Sequence, residues 1–456
     1  MYKFSREQVL EPAFLTKLIR KFKNRELKKY RRAQQYYEAE NEIRNRRMSE
    51  LNSNNKIAHA FARYMTNMAT AYFIGKPIRY TADDGALQEA LDTILAANYI
   101  NAVNFDVSKE ASKKGIGFLL MYIDEKPRLR IKKMDAEDII PVFSSTLGEY
   151  LECAVRLAED HDIDGKLIRQ HAYVYDDTYI YHYSRENTAA DYAEIPEDRQ
   201  EHLLGDVPVI CISNNEELMG DYEAFYDLID AYDKSQSNSA NDADYFSDAY
   251  MAIVGAGGGL EDALSGEEDS DGSAAAKNLR ENKLLFLDEK GQAYFIEKNT
   301  NDTAAENYKN RLFKDLFFLS QVPALTDENF SGNLSGVAIR YKLIGLEELA
   351  IMKENCFRPA QHKMLKMITA WINLMQNKDY DPDSIVQQYE RNFIDNDTET
   401  IENAGKLEGI VSKETQLSTL PQNIVGNAAE ELERIRREVM DDEQLPYVRT
   451  EDINAE

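Results

Sequence analysis

Residues 317–342 read FFLSQVPALTDENFSGNLSGVAIRYK, and this stretch separates two segments that are both predicted to be helical. Pro323 cannot continue a helix and favours an extended conformation at the residue before it. Gly332 and Gly336 add backbone freedom, and the small polar residues around them favour a loop. The interruption is longer than the roughly two to eight residues that usually join neighbouring helices. We therefore predict a flexible, exposed loop over residues 321–334.

The segments on either side of this loop carry apolar residues at helical spacing. Residues 302–320 predict one helix, and residues 335–376 predict a second helix about 60 Å long at ~1.5 Å per residue. Pro359 is expected to kink the long helix. A third helix is predicted over residues 221–252, but its second half, DKSQSNSANDAD (233–244), has almost nothing to bury. A helix that is polar all round needs support from something other than a monomer core.

Between about residues 116 and 213 the pattern changes to the alternation that is typical of β-strands. Runs such as GFLLMYI, HAYVY and TYIYHY predict an antiparallel sheet. We interpret the tyrosines of residues 173–183 as packing residues rather than as a platform for stacked bases. Capping residues and an apolar stripe predict a helix over residues 56–74. KLLFLDEKGQAYFIE (283–297) predicts a small β-hairpin, so the fold class is α+β and mainly helical.

The composition excludes several classes of protein. A formal net charge of −27 argues against a protein that holds nucleic acid through its overall charge, although residues 1–50 are basic. The three cysteines are scattered, which argues against a disulfide framework or a zinc ribbon. The first residues are charged and no apolar run approaches the ~18 residues of a membrane span. These features predict a soluble protein that is cytoplasmic when it is made.

The sequence offers few motifs for catalysis. There is no phosphate-binding GxxxxGK[ST] loop, GAGGGL (255–260) lacks the final glycine of a dinucleotide site, and HExxH is absent. His59, His171 and His182 are interpreted as packed side chains rather than as metal ligands. Carboxylates are abundant, but no acidic pair accompanies a base. We therefore predict no catalytic residue, no cofactor and no metal site, with a metal-dependent nuclease kept as the less favoured alternative.

Two stretches resemble a known family. NNKIAHAFARYMTNMATAYFIGKPIRY (54–80) and SQVPALTDENFSGNLSGVAIRYKLIGLEELA (320–350) are similar to the portal proteins of tailed double-stranded-DNA bacteriophages, most closely those of long-tailed phages of Gram-positive hosts. The resemblance extends over most of the chain. It implies a ring of twelve copies at one capsid vertex of the virion, through which DNA is packaged, retained and ejected, and it implies no enzymatic activity.

The resemblance also implies a division of the chain into the parts of a portal subunit. In chain order these are a wing (1–220, to which a strand near 384–394 returns), stem helices (221–252 and 302–320), a clip (253–301), a tunnel loop (321–334), a long kinked helix (335–376) and a crown (396–456).

Site residues and partners follow from the same resemblance. The tunnel-loop residues expected at the DNA channel are Leu325, Asp327, Glu328, Asn329, Phe330, Asn333 and Leu334. The stem residues expected to line the channel are Asp233, Asn241, Asp244 and Asp248. Such an acidic wall fits DNA that slides through without sequence-specific binding, because each Lys or Arg contact with a phosphate adds affinity.

The partners implied are further copies of the chain, terminase, the major capsid or scaffold protein, and a head-completion or adaptor protein, with no membrane. A helical adaptor or scaffold without a DNA channel is the alternative from another class.

Overall fold

The computed structural model describes residues 2–49, 53–186, 191–247, 250–254, 284–287, 292–296, 302–325, 336–392, 397–420 and 424–443. The chain divides into two compact units. The first unit comprises Met1–Ala324 and Gly345–Arg391, and the second comprises Leu325–Ile344 and Asn392–Glu456. No helix in the described ranges is long and apolar enough to cross a membrane.

The helices are numbered here in chain order. They are α1 (Arg6–Leu10), α2 (Pro12–Asn24), α3 (Glu26–Tyr37), α4 (Phe61–Ile74), α5 (Gly85–Ala97), α6 (Ile100–Lys114), α7 (Tyr226–Ser247), α8 (Asp302–Leu319), α9 (Gly336–Lys342), α10 (Ile344–Gln376), α11 (Asp397–Lys406), α12 (Lys413–Ser418) and α13 (Ala428–Glu443).

The strands are numbered in the same way. They are β1 (Tyr2–Lys3), β2 (Arg79–Thr81), β3 (Ile116–Ile123), β4 (Leu129–Met134), β5 (Ile139–Phe143), β6 (Leu151–His161), β7 (Leu167–Tyr175), β8 (Tyr179–Glu186), β9 (Ala193–Glu194), β10 (Gln200–Glu201), β11 (Val209–Ser213), β12 (Tyr250–Val254), β13 (Leu284–Leu287), β14 (Gln292–Ile296) and β15 (Val386–Gln388).

The strands predicted between residues 116 and 213 are present, but they form two sheets instead of one. The larger sheet has the order β1-β5-β6-β7-β8-β10, with β9 also paired to β8. It is antiparallel except at β1, which pairs in parallel with β5. The second sheet has the order β11-β3-β4. Since Tyr175, Tyr181 and Tyr183 are buried in the core of the larger sheet, the interpretation of these tyrosines as packing residues is confirmed.

Helix α2 covers the larger sheet. Its apolar residues recur at helical spacing, so that Leu15, Leu18, Ile19 and Phe22 are all buried in the same core as the strands. The chain enters this region through a capping box at Ser5, whose side chain accepts from the backbone of Gln8. The larger sheet is therefore a scaffold closed on one side by the N-terminal helices.

A second core forms where the long helix α10 meets α4, α5, α6 and the sheet β11-β3-β4. Phe357, Met364, Ile368 and Trp371 of α10 are buried in it. The strand predicted near 384–394 is only the three residues of β15, and it pairs with β2. β2 lies within the range predicted for the wing, although it does not belong to the larger sheet.

Three predicted elements need correction. The single helix predicted over 335–376 is divided into α9 and α10, with a turn at Leu343, and Pro359 lies inside α10. The helix predicted from residue 56 begins at Phe61, because the preceding residues are extended. The predicted hairpin over 283–297 is wrong: β13 and β14 both exist, but β12 lies between them, parallel to β13 and antiparallel to β14.

A buried cation fixes α10 to the rest of the first unit. Lys353 is 4% exposed, and its Nζ donates to Asp221 Oδ1 at 2.7 Å, to Ser112 Oγ at 2.7 Å and to the side chain of Asn214. Ser112 lies near the end of α6, and the chain from 214 to 221 crosses there so closely that a Cβ on Gly220 would lie 2.3 Å from a backbone oxygen. Lys353 therefore ties three separate parts of the chain.

Replacing Lys353 with methionine removes the charge and leaves Asp221 buried with fewer donors. We expect this substitution to lower the free energy of unfolding by about 3–5 kcal/mol, the usual cost of removing one partner of a buried ion pair. Urea unfolding followed by the fluorescence of Trp371, the chain's one tryptophan, measures the change.

The matched control is Lys76→Met. Lys76 is 41% exposed and lies 3.9 Å from Glu390, so its loss is expected to cost less than about 1 kcal/mol. Equal losses in the two variants would contradict the structural role given to Lys353.

Candidate functional site

Helices α7 and α8, which correspond to the two predicted stem helices, pack against each other and against α4. Aromatic rings fill the junction. Phe61 of α4 lies 5.1 Å from the ring of Tyr232 on α7 and 6.0 Å from the ring of Phe317 on α8. Phe313 and Phe317 are 4.6 Å apart. This cluster packs α7 at Tyr232, directly before its polar half begins.

The polar half of α7 is held by hydrogen bonds to an extended segment of the same chain. The side chains of Asp233, Ser237 and Asn241 accept from backbone N–H groups at 3.0, 3.0 and 2.8 Å, respectively. The donors are, in the same order, His59, Ile57 and Asn55. We call these three paired contacts the polar ladder. All three acceptor residues are buried.

The spacing of the polar ladder follows from helix and strand geometry. Its acceptors are four residues apart on a helix, which is a rise of about 6 Å. Its donors are two residues apart on an extended chain, which is about 6.6 Å. The two repeats nearly match, so a run of three contacts forms without distortion.

Asp233 is the charged member of the polar ladder, and its exposure is 0%. Its Oδ1 accepts from the backbone N–H of His59 and lies 2.7 Å from the Nδ1 of the same residue, while its Oδ2 accepts from the side chain of Asn41. A buried carboxylate is costly unless it is hydrogen-bonded, and three donors meet that requirement here. His59 is therefore a packed hydrogen-bonding residue, as predicted.

One turn earlier, Asp230 extends the polar face of α7. Its Oδ2 accepts from the hydroxyl of Tyr36 at 2.7 Å. Burial raises the pKa of Asp230, the hydrogen bond from Tyr36 acts in the opposite direction, and the neighbouring charge of Asp233 raises the pKa further. Arg32 lies over the ring of Tyr226 at 4.4 Å on the same side of the helix. The N-terminal helices thus support α7 through polar contacts.

The start of the predicted loop lies against the start of α10, and both belong to the first unit. Gln321 follows α8 with a φ of 58°, in the left-handed region, and its side chain donates to Glu348 of α10. A Cβ on Gly345 would lie 2.9 Å from the backbone oxygen of Gln321, so only glycine fits there without displacement. The hydroxyl of Tyr64 donates to the carbonyl of Pro323 at 2.7 Å. The chain leaves α8 and enters α10 at one point.

The structure places the predicted channel residues differently. Leu325 is described and is exposed. The other loop residues, Asp327, Glu328, Asn329, Phe330, Asn333 and Leu334, lie outside the described residues, as does Asp248 of the stem. Asp244 is exposed and accepts from the side chain of Asn55 at 2.6 Å. Asp233 and Asn241 are buried in the polar ladder, and a side chain that is enclosed by its own chain does not line a channel.

The sequence interpretation missed the partner of α7. The signal was present: Asp233, Ser237 and Asn241 recur at intervals of four residues, which places three short acceptor side chains on one face. No group of three or more His, Cys, Asp or Glu side chains that could hold a metal ion occurs within the described part of the chain.

The comparisons with known proteins agree with the resemblance. Residues 17–445 match the model of the family "Phage portal protein, SPP1 Gp6-like". The portal protein of Bacillus phage SPP1 is 25% identical over 428 residues, covering 89% of this chain and 82% of that protein. The portal protein of Clostridium phage phiCD119 is 25% identical over 406 residues, covering 83% and 86%, respectively.

Among solved structures, a chain from the neck of a native GTA particle computed with C12 symmetry is similar with a TM-score of 0.39 at 10% identity, covering 79% of this chain and 89% of that chain.

The family match covers residues 17–445, which is most of the chain. The chain therefore belongs to the SPP1 Gp6-like family of phage portal proteins. The family prediction made from residues 54–80 and 320–350 is confirmed, and the helical adaptor without a DNA channel is no longer favoured.

Replacing Asp233 with leucine leaves the donors of His59 and Asn41 without their acceptor. Because hydrogen bonds to a charged group are worth about 1.5–3 kcal/mol each, we expect the segment 53–60 to open far more often. Hydrogen–deuterium exchange of peptides from this segment is expected to accelerate at least ten-fold, with little change in the larger sheet.

The control is Lys234→Leu, which introduces the same residue at the next position of α7, where the side chain is exposed. Exchange in the segment 53–60 is expected to stay at the wild-type rate. If the two variants exchange alike, the polar ladder does not hold this segment.

Proposed function

We propose that the chain is one subunit of a closed ring at a capsid vertex, through which double-stranded DNA enters and leaves the phage head. The observation that carries this proposal is the family match across residues 17–445. Rings of identical subunits use heterologous contacts, in which two different surfaces of one chain meet around a closed rotation. Twelve copies are proposed from the family resemblance.

The parts of the subunit are assigned on the same basis. Helices α7 and α8 form the stem, β13 and β14 fall within the clip with β12 at the boundary between stem and clip, and α9 and α10 together form the long helix. Residues 1–220 form the wing and residues 396–456 the crown. Support comes from the order of the elements, because the two helices lie within the ranges proposed for the stem, one before and one after the small sheet.

The channel wall is proposed to consist of the loop residues 325–334 together with the end of α7. Asp244 and Asp248 remain the stem residues proposed to face DNA, whereas Asp233 and Asn241 are withdrawn because they are buried. Acidic residues near a passing polyanion repel it, so DNA slides rather than binds.

We further propose that the subunit has no catalytic activity and binds no cofactor, and that terminase supplies the energy for packaging. Terminase and a head-completion or adaptor protein would dock on the clip, and the major capsid or scaffold protein on the outside of the ring. Assembly would begin in the host cytoplasm and end in the virion.

The purified chain is expected to sediment as a closed ring rather than as a monomer. Analytical ultracentrifugation measures the mass, and negative-stain microscopy shows whether each particle has a central hole. A single monomeric species at every protein and salt concentration would count against the proposal. Rings of an unexpected subunit number would correct the stoichiometry alone.

Gly345→Ala tests whether the position of the loop matters for DNA passage. The added methyl group meets the backbone of Gln321 at 2.9 Å, so one end of the loop must shift. We expect rings to form normally while the yield of DNA-filled heads falls several-fold in a packaging assay with terminase.

Gly405→Ala is the matched control, since Gly405 is also helical and a Cβ there meets nothing within 4 Å. Its packaging yield is expected to equal that of the wild type. Wild-type packaging by Gly345→Ala rings would show that the loop ends need no fixed position.

A further inference from the structure

Four titratable side chains form a continuous hydrogen-bonded row on the outer face of the larger sheet. His171 Nδ1 lies 2.9 Å from His182 Nε2. The other nitrogen of each ring meets a carboxylate: His171 Nε2 lies 2.9 Å from Asp160 Oδ2, and His182 Nδ1 lies 2.7 Å from Asp198 Oδ2. The row joins β6, β7, β8 and the turn that follows β9. We call it the histidine row.

The number of protons in the histidine row follows from its geometry. Each outer ring nitrogen donates to a carboxylate, so it carries a hydrogen. The hydrogen bond from His171 lowers the pKa of Asp160, which keeps that carboxyl ionised as the acceptor. The two inner nitrogens then face each other at hydrogen-bonding distance. With no proton between them two lone pairs would oppose each other, and with two protons two N–H groups would collide.

We propose that the imidazoles of His171 and His182 bind one shared proton, so that the pair carries a single positive charge between the carboxylates of Asp160 and Asp198. The site is a proton-binding site that no portal function requires. The shared proton forms a side-chain tie between β7 and β8 at this face, beside the ion pair of Arg169 and Glu186.

The surroundings fit a charged pair. Tyr173 stacks on the ring of His182 at 4.5 Å with an interplanar angle of 9°, and both histidine side chains are nearly buried, at 12% and 11% exposure. The guanidinium group of Arg156 lies over the ring of Tyr173, 4.2 Å from the ring centre. The charged and titratable groups that share this face are Arg156 and Asp160 of β6, Arg169 and Tyr173 of β7, Glu186 of β8, and Asp198.

The proton makes the tie sensitive to pH in both directions. When pH rises and the shared proton leaves, the inner nitrogens lose their hydrogen bond. When pH falls and a second proton binds, two cations face each other at the same distance. The tie is therefore strongest at an intermediate pH, at which the pair holds one proton. Opening it also loosens the turn after β9, because Ile195 donates its N–H to the carbonyl of His182.

Hydrogen–deuterium exchange of the assembled protein tests the proposal at about pH 5, pH 6.5 and pH 8.5, values that bracket the histidine titration. Rates are corrected for intrinsic exchange, and EDTA is present throughout to remove adventitious metal. Peptides from β7, β8 and residues 193–198 are expected to be protected most at the middle pH. At pH 5 and at pH 8.5 the protection of these peptides is expected to fall by about two- to ten-fold, which is the range for the loss of one hydrogen bond.

Two variants replace the titrating rings with amides. His171→Asn places an amide near the position of Nδ1, and His182→Gln places one near the position of Nε2, so each keeps a neutral polar group in the row. Both are expected to flatten the pH profile. His161→Gln is the control, because His161 is on β6, is 45% exposed and lies outside the row. It is expected to keep the wild-type profile.

A wild-type profile that is flat across the three pH values would overturn the proposal, and this measurement does not depend on any variant folding. A wild-type profile that persists in both amide variants would also overturn it. A maximum that is lost in both variants and kept in His161→Gln supports it.

Discussion

The constraint on which the stem depends is the need of buried backbone N–H groups for acceptors. The segment that carries Asn55, Ile57 and His59 is extended and lies against a helix, so it has no neighbouring strand to satisfy it. Helix α7 supplies the acceptors from its side chains instead. An unsatisfied buried N–H costs about 1–3 kcal/mol. The positions of α7 that face this segment are therefore restricted to residues whose side chains can accept a hydrogen bond. Short acceptor side chains must recur every four residues.

That requirement explains why half of α7 lacks an apolar stripe. A helix normally buries its apolar face, but here it buries a polar one, and the aromatic cluster around Phe61 provides the hydrophobic packing at one edge. Lys353 plays the corresponding part for α10, where one cation satisfies acceptors from two other segments, α6 and residues 214–221. Helices α7 and α10 are thus both positioned by polar contacts that have directional geometry.

The sequence predicted the elements whose signals are local. The ends of α8, the strands with alternating Tyr and Val, and the absence of a helix at Pro323 all follow from short-range patterns. The function was predicted from the resemblance of residues 54–80 and 320–350 to a known family. The position of β12 between β13 and β14 was not predicted. Strand order depends on contacts between segments that are distant in the sequence, and the local pattern of residues 283–297 contains no information about β12.

Asp233 and Asn241, two of the four stem residues predicted to line the channel, are buried for a physical reason. A polar helix face was taken as a wet surface, since water is the commonest partner of polar side chains. In this fold the partner of Asp233 and Asn241 is the backbone of residues 53–60. The sequence of that segment has no regular pattern from which this contact could be predicted.

This correction changes which surface of α7 is available to neighbouring copies. The exposed side of the helix carries Asp227, Lys234 and Asn238, which lie seven and four residues apart and so share one face. It contains one acid, one base and one amide, a composition suited to pairing with a different surface of a neighbouring chain. In a ring built by heterologous contacts, a mixed face avoids the repulsion that an all-acidic face would meet on an acidic neighbour. The polar ladder therefore buries Asp233 and Asn241 within the chain and leaves α7 with an exposed face of mixed charge.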